Sequence, residues 1–192
     1  IYPPVSKHEC SVLTKEAFYA GLSAAVLNAP NLSSLYSLKT AKIDYIPYQF
    51  RPVLRFIHAD QPRMLIADDV GVGKTIEAGL ILQELKARND VQKILIICPK
   101  PLITEHKWKN EMRRFGESFI ELDSTALKDC IEETDRDGEW PIQYEKCILP
   151  YSIFSDDILG ETPTKTSKKR RTPTLLELDP PPHFDLLIVD AT

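Results

Sequence analysis

The feature that most constrains this chain is a succession of three segments between residues 63 and 88. An apolar run, Arg63 to Asp68, leads into a turn that carries Gly71 and Gly73. A stretch with helical character then extends from Lys74 to about Arg88. A strand that turns through glycines into a helix aims the first helical amides, which have no intrahelical acceptors, at the turn. The turn runs Ala67, Asp68, Asp69, Val70, Gly71, Val72, Gly73, Lys74, Thr75. Gly71 and Gly73 open backbone conformations closed to larger residues, so main-chain N–H groups can approach an anion. The helix N-terminus adds positive potential. The spacing fits a phosphate loop of the form AxxGxGKT; Asp68 stands where the stricter GxxxxGK[ST] form has its first glycine. In such a loop Lys74 reaches the β- and γ-phosphates of ATP and the Thr75 hydroxyl holds Mg²⁺. Asp69, Gly71, Val72, Gly73 and Ile76 are assigned with them to nucleotide binding.

The remaining pattern repeats strand and helix. Lys93–Pro99 reads as a second buried strand and Leu102–Phe115 as a second helix. Phe119–Asp123, Lys146–Ile153 and Phe184–Asp190 read as three further strands. Near-continuous apolar strands alternating with helices predict a mostly parallel sheet covered on both faces, a three-layer α/β domain. Residues 41–192 are assigned to that domain and 1–40 to an accessory segment. In the accessory segment Thr14 caps a helix through about Leu27, with Phe18, Gly21, Leu22, Ala25 and Val26 on one face, and the stretch from Asn28 to Asn31 ends it. Residues 155–183, rich in proline and basic side chains, are expected to form a mobile loop.

A second nucleotide motif closes the chain. Leu186–Asp190 is an apolar strand with a terminal carboxylate, placed to hold Mg²⁺ through its water shell. Lys74 and Asp190 are the expected catalytic pair. Hydrolysis also needs a carboxylate to orient the attacking water, and the residue after Asp190 is Ala191, which cannot act as a base. Either the chain is truncated there or it binds ATP without cleaving it. A small phosphate-loop kinase would need lid arginines soon after the loop, and residues 76–92 offer only Arg88.

Composition excludes some classes. The longest apolar runs, Ile94–Cys98 and Leu186–Val189, are far too short to cross a bilayer. The start, Ile1 to Pro4, has neither signal-peptide character nor an initiator Met, as expected of a processed chain or a piece of a longer one. Cys10, Cys98, Cys130 and Cys147 form no CxxC pair and read as buried free thiols in a reducing compartment. His106 and His183 belong to no ligand constellation. The net charge of −4 rules out a generally basic nucleic-acid-coating protein. A local patch is required: either Lys100, Lys107, Lys109, Arg113 and Arg114, or the run Lys168 to Arg171.

The segment from Ala67 to Leu80 resembles, almost letter for letter, motif I of the SWI/SNF-related ATPases of helicase superfamily 2, in their bacterial RapA/HepA-like branch. The resemblance covers about residues 35–190 apart from 155–183. It implies the first of two RecA-like lobes, with a second lobe elsewhere in the full-length protein supplying an arginine to the transition state. It also implies movement along double-stranded DNA, a cytoplasmic, nucleoid-associated setting, and partners that include RNA polymerase. The isolated fragment is expected to bind ATP at most weakly and to turn over negligible amounts of it. Leu35–Gln49 is similar to the family's adenine-reading segment, so Gln49 would read the base, with Tyr45 or Tyr48 stacking or packing beside it. Ile97–Leu102 resembles a nucleic-acid motif, which implicates Lys100 and Pro101. Trp108 falls two residues later than the family tryptophan and His106 takes its place; Trp108, Met112 and Phe115 read as core. Cys147–Ile153 resembles another such motif, which implicates Tyr151 and Ser152, with Pro150 in place of a small hydroxyl residue.

Overall fold

The computed structural model describes residues 14–15, 17–19, 21, 46–59, 63–69, 71–88, 91–160 and 173–191. The chain separates into two compact units, Ile1–Leu35 and Tyr36–Thr192. In the first unit the start of the expected helix is described: the Thr14 hydroxyl accepts from the Ala17 amide at 3.2 Å, the geometry of an N-cap. Most of that helix, its terminator, Cys10, Tyr45, most of the adenine-reading segment and the Lys168–Arg171 run lie outside the described residues.

Among its described residues the second unit has four strands. These are β1 (Ile94–Cys98), β2 (Ile120–Glu121), β3 (Lys146–Pro150) and β4 (Leu186–Val189). They pair in the order β2-β3-β1-β4, all parallel, as the apolar runs predict. The α-helices among its described residues are α1 (Phe50–Ile57), α2 (Lys74–Arg88), α3 (Lys100–Thr104), α4 (Lys107–Arg114), α5 (Ser124–Asp137) and α6 (Asp156–Leu159).

On one face Cys147 and Leu149 join Leu127, Cys130 and Ile131 of α5, with Trp140, Ile153, Ile158 and Leu178, in an apolar cluster; Leu95 packs against it. Each such side chain withdrawn from water contributes about 2 kcal/mol. The two-residue period of a strand places Ile94, Ile96, Cys98 and Ile148, all buried, on the other face. There α2 packs against α4, and Gly79 allows the approach, because any side chain at that position would collide with the ring of Phe115.

Several expectations are corrected. Residues 63–69 form no strand. An extended segment becomes a strand only by pairing, and among the described strands β4 ends the sheet without a partner on its outer side. On the edge strand β4, Leu187 and Val189 are more than half exposed, and Leu65 is 88% exposed. The helix expected over Leu102–Phe115 is two helices, because His106 takes a left-handed conformation, φ 51°, between them. That break turns Trp108 and Met112 inward, while His106 stays outside on the Glu121 carboxylate at 2.7 Å. Helix α5 adds to the predicted elements. Asp123 caps it by accepting from the amides of Thr125 and Ala126, and Gly138 ends it at φ 77°. The expected loop at 155–183 contains α6 and a capping box between Thr174 and Glu177, with Ile158 and Leu178 buried; residues 161–172 are not described. Cys98, Cys130 and Cys147 are buried free thiols, as expected.

Candidate nucleotide site

Helix α2 begins at Lys74, directly after the glycine turn. Gly71 and Gly73 have φ of +88° and +100°, a region that L side chains avoid. Gly73 meets a second constraint, since a Cβ there would run into the side-chain amide of Gln49. The Gly73 carbonyl accepts from the amides of Ile76 and Glu77 at 2.8 and 3.0 Å and so starts the helix.

The turn is fastened from the side by two residues that precede α1. The Tyr48 hydroxyl and the Gln49 amide both donate to the Val72 carbonyl, at 2.6 and 3.1 Å. Gln49 is buried; Tyr48 is partly exposed and its described hydrogen bond is to the loop. Lys74 folds back over the turn, donating to the carbonyl of Asp68 at 3.0 Å and more weakly to that of Asp69 at 3.5 Å. Asp69 is exposed; Val72, Thr75 and Ile76 are intermediate.

The loop and the second motif open on one cleft of about 490 Å³. Gly71, Gly73, Lys74, Thr75 and Ile76 line one side, and Leu186 to Asp190 with Ala191 line another. These residues fit a phosphorylated nucleotide with a divalent cation: donors at a helix N-terminus, an ammonium, a hydroxyl and a carboxylate share one opening.

Asp190 is held from two directions. The Trp108 indole donates to its Oδ2 at 2.9 Å, and the Tyr151 hydroxyl donates to its backbone carbonyl at 2.6 Å. Burial is the main cause that raises the Tyr151 hydroxyl pKa above its ordinary value, and the charge of Asp190 adds to it. The neighbouring Cys98 thiol is pushed up to about 11, first by burial and then by the charges of Asp190 and Glu121, so it stays protonated at neutral pH.

Sequence reasoning misses Glu77. It is fully buried, and among the described residues neither carboxylate oxygen has a hydrogen-bond partner within normal distance. Burial raises its pKa to about 7, the nearby Asp68 carboxylate adds to the rise, and Lys74 opposes it. A glutamate on the inner face of a helix was the available signal. The residues implicated in nucleic-acid contact, Lys100, Pro101, Tyr151 and Ser152, are all exposed, with Lys100 opening α3, and the Tyr151 hydroxyl donates to the Asp190 carbonyl.

Comparison with known proteins gives the family and the fold. The family model for the SNF2-related domain matches residues 32–171. The RNA polymerase-associated protein RapA of Actinobacillus pleuropneumoniae serotype 5b is 32% identical over 163 residues, covering 82% of this chain and 15% of that protein. RapA of Actinobacillus succinogenes is 36% identical over 159 residues, with the same coverage of 82% and 15%. The chain thus spans about 15% of the length of these curated relatives. A solved structure, the Sulfolobus solfataricus SWI2/SNF2 ATPase core in complex with dsDNA, matches with a TM-score of 0.50 at 18% identity, over 84% of this chain and 34% of that one. That likeness shows the fold, the RecA-like core of such ATPases. With its family model matched over most of its length, the chain belongs to the SNF2-related domain family.

Proposed function

We propose that this chain is the ATP-binding lobe of a nucleic-acid-dependent ATPase that moves along double-stranded DNA. The observation that carries the reading is the shared cleft: the glycine turn with Lys74 and Thr75 opens on the same space as Asp190. Lys74 would leave its loop carbonyls for the β- and γ-phosphates, and Thr75 and Asp190 would hold Mg²⁺. The cation supplies charge neutralisation between phosphates. Asp69, Gly71, Val72, Gly73 and Ile76 form the cradle. Gln49, already bonded to the Val72 carbonyl, would read the adenine edge and so couple base recognition to the loop.

Lys100, Pro101, Tyr151 and Ser152 are assigned to the nucleic-acid side; exposure supports all four, although the Tyr151 hydroxyl is already engaged by Asp190. Double-stranded DNA as the polymer draws support from the Sulfolobus neighbour, an ATPase core solved in complex with dsDNA. RNA polymerase as a protein partner draws support from the RapA relatives, which are RNA polymerase-associated proteins. A cytoplasmic, nucleoid-associated location follows from those partners. Residues 1–40 act as an accessory segment and 41–192 as the lobe, with turnover dependent on a second RecA-like lobe. A second reading, nucleotide binding without hydrolysis, rests on Ala191, whose methyl group beside Asp190 in the cleft cannot orient water.

ATP hydrolysis with and without duplex DNA tests the reading, run on the full-length protein and on the 192-residue chain. DNA-stimulated turnover in the former and negligible turnover in the latter are expected. Comparable turnover by the short chain would overturn the need for a second lobe. A full-length protein that binds nucleotide but never cleaves it would favour the second reading.

A further inference from the structure

Asp190 is the residue of the site most heavily tied to the rest of the fold. Its amide donates to the Ile97 carbonyl at 2.8 Å and continues the β4–β1 ladder. Its backbone carbonyl accepts from Tyr151, beyond β3, and its carboxylate accepts from Trp108 of α4. Three separate elements therefore fix one residue. The Trp108 bond is the informative one. Trp108 is buried, and an indole N–H withdrawn from water needs an acceptor. The fold contains a contrasting solution at Trp140, whose indole donates to a backbone carbonyl, that of Tyr144, at 2.9 Å. Trp108 instead takes a carboxylate on the wall of the cleft.

We propose that Trp108 and Tyr151 are positioning residues for Asp190: the indole orients its carboxylate and the phenol its main chain, so that the acid is preset for a divalent cation. The inference deepens the functional reading and rests on its assignment of Asp190 to Mg²⁺. An indole on Oδ2 does not exclude the cation, because a carboxylate offers about four lone-pair sites and can accept from the indole and a metal-bound water together. Donors that orient a ligating carboxylate are worth about 10- to 100-fold in metal affinity. The break at His106 follows as part of the device, since α4 starts there and delivers Trp108 to the strand end.

The test is a Mg²⁺ titration of the chain at fixed fluorescent ATP analogue, in wild type, Trp108→Phe, Tyr151→Phe and Trp140→Phe. In Trp108→Phe the Mg²⁺ midpoint rises about tenfold, while analogue binding without Mg²⁺ is unchanged. A smaller rise is expected in Tyr151→Phe and none in Trp140→Phe, which removes a buried indole N–H that does not line the cleft. A residue that only supported the fold would move both kinds of binding together. A folded Trp108→Phe with the wild-type midpoint overturns the proposal. If that variant does not fold, Tyr151→Phe decides in the same way. A companion measurement needs no nucleotide: in the isotope-labelled chain, Asp190→Ala should move the Trp108 indole N–H resonance and leave that of Trp140 in place. An unmoved Trp108 resonance removes the bond itself and with it the proposal. A moved resonance in a protein that shows no Mg²⁺-dependent binding overturns the functional reading instead, and the positioning role with it.

Discussion

The two ends of α2 handle a buried glutamate in opposite ways. Near the C-terminal end, Glu117 packs against the helix with only 5% of its side chain exposed. Lys146 reaches it at 2.7 Å, Lys86 makes a second ion pair, and Gln83 donates at 3.2 Å. Burial raises its pKa, but the bonds and charges of Lys146 and Lys86 outweigh burial and hold the carboxyl below its ordinary value. Near the N-terminal end, Glu77 is also buried, and among the described residues it has no such cationic partners. A buried carboxylate costs several kcal/mol unless it is paired. The fold therefore compensates its acid near the C-terminal end of α2, through Lys86 and Lys146, and leaves one without a cationic partner among the described residues beside the glycine turn. Unmet polar cost tends to gather where a site must bind something.

Substitutions that exchange the two situations should separate them. The largest effect is expected for Glu117→Gln, which leaves Lys86 and Lys146 facing a neutral amide. It should destabilise the fold by about 3 kcal/mol, read as a lower midpoint in urea. The wild-type contribution of Glu117 is present at neutral pH and is lost as pH falls through its lowered pKa. Next comes Glu77→Gln, with the opposite sign. Glu77 is protonated more readily in the fold, with a pKa of about 7 against an ordinary 4.5, so stability falls as pH rises between those values. Removing the charge should stabilise the protein by about 2 kcal/mol at pH 8 and flatten the pH profile in that window. An unstable Glu77→Gln at pH 8 would show that the carboxylate has a partner after all.

Two smaller changes sharpen the loop side. Gly73→Ala should cost about 1–2 kcal/mol from the left-handed backbone, plus displacement of Gln49. A calorimetric melt within error of wild type would contradict the turn geometry. Tyr48→Phe removes one partly exposed bond to the Val72 carbonyl and should cost about 0.5 kcal/mol, with faster hydrogen exchange confined to the loop.

Much of this is legible in the sequence, for reasons that differ by residue. Helix α2 and the parallel strands announce themselves because long apolar periodicity survives any tertiary context. Lys74, Thr75 and Asp190 stand out in the sequence because a glycine turn before a helix and an apolar run with a terminal carboxylate are local patterns, and the fold brings the three to one cleft. The 63–69 segment misleads because strandness belongs to a pair and not to a run of apolar residues. The helix after β1 reads as continuous, since nothing in His106 itself signals a left-handed break. Trp108 looks like core and is core, yet its N–H direction is fixed only by the fold. Helix α5, by contrast, was available: Asp123 and Gly138 are its start and stop signals.

The most direct test of the site is a titration of the purified chain with a fluorescent ATP analogue, with and without Mg²⁺, beside Lys74→Ala. Lys74 is bonded to exposed loop carbonyls, so its removal should leave the melting temperature nearly unchanged. Saturable, Mg²⁺-dependent binding that the variant loses at least tenfold is the expected result. Equal binding by wild type and Lys74→Ala would contradict the assignment of this loop as the phosphate site.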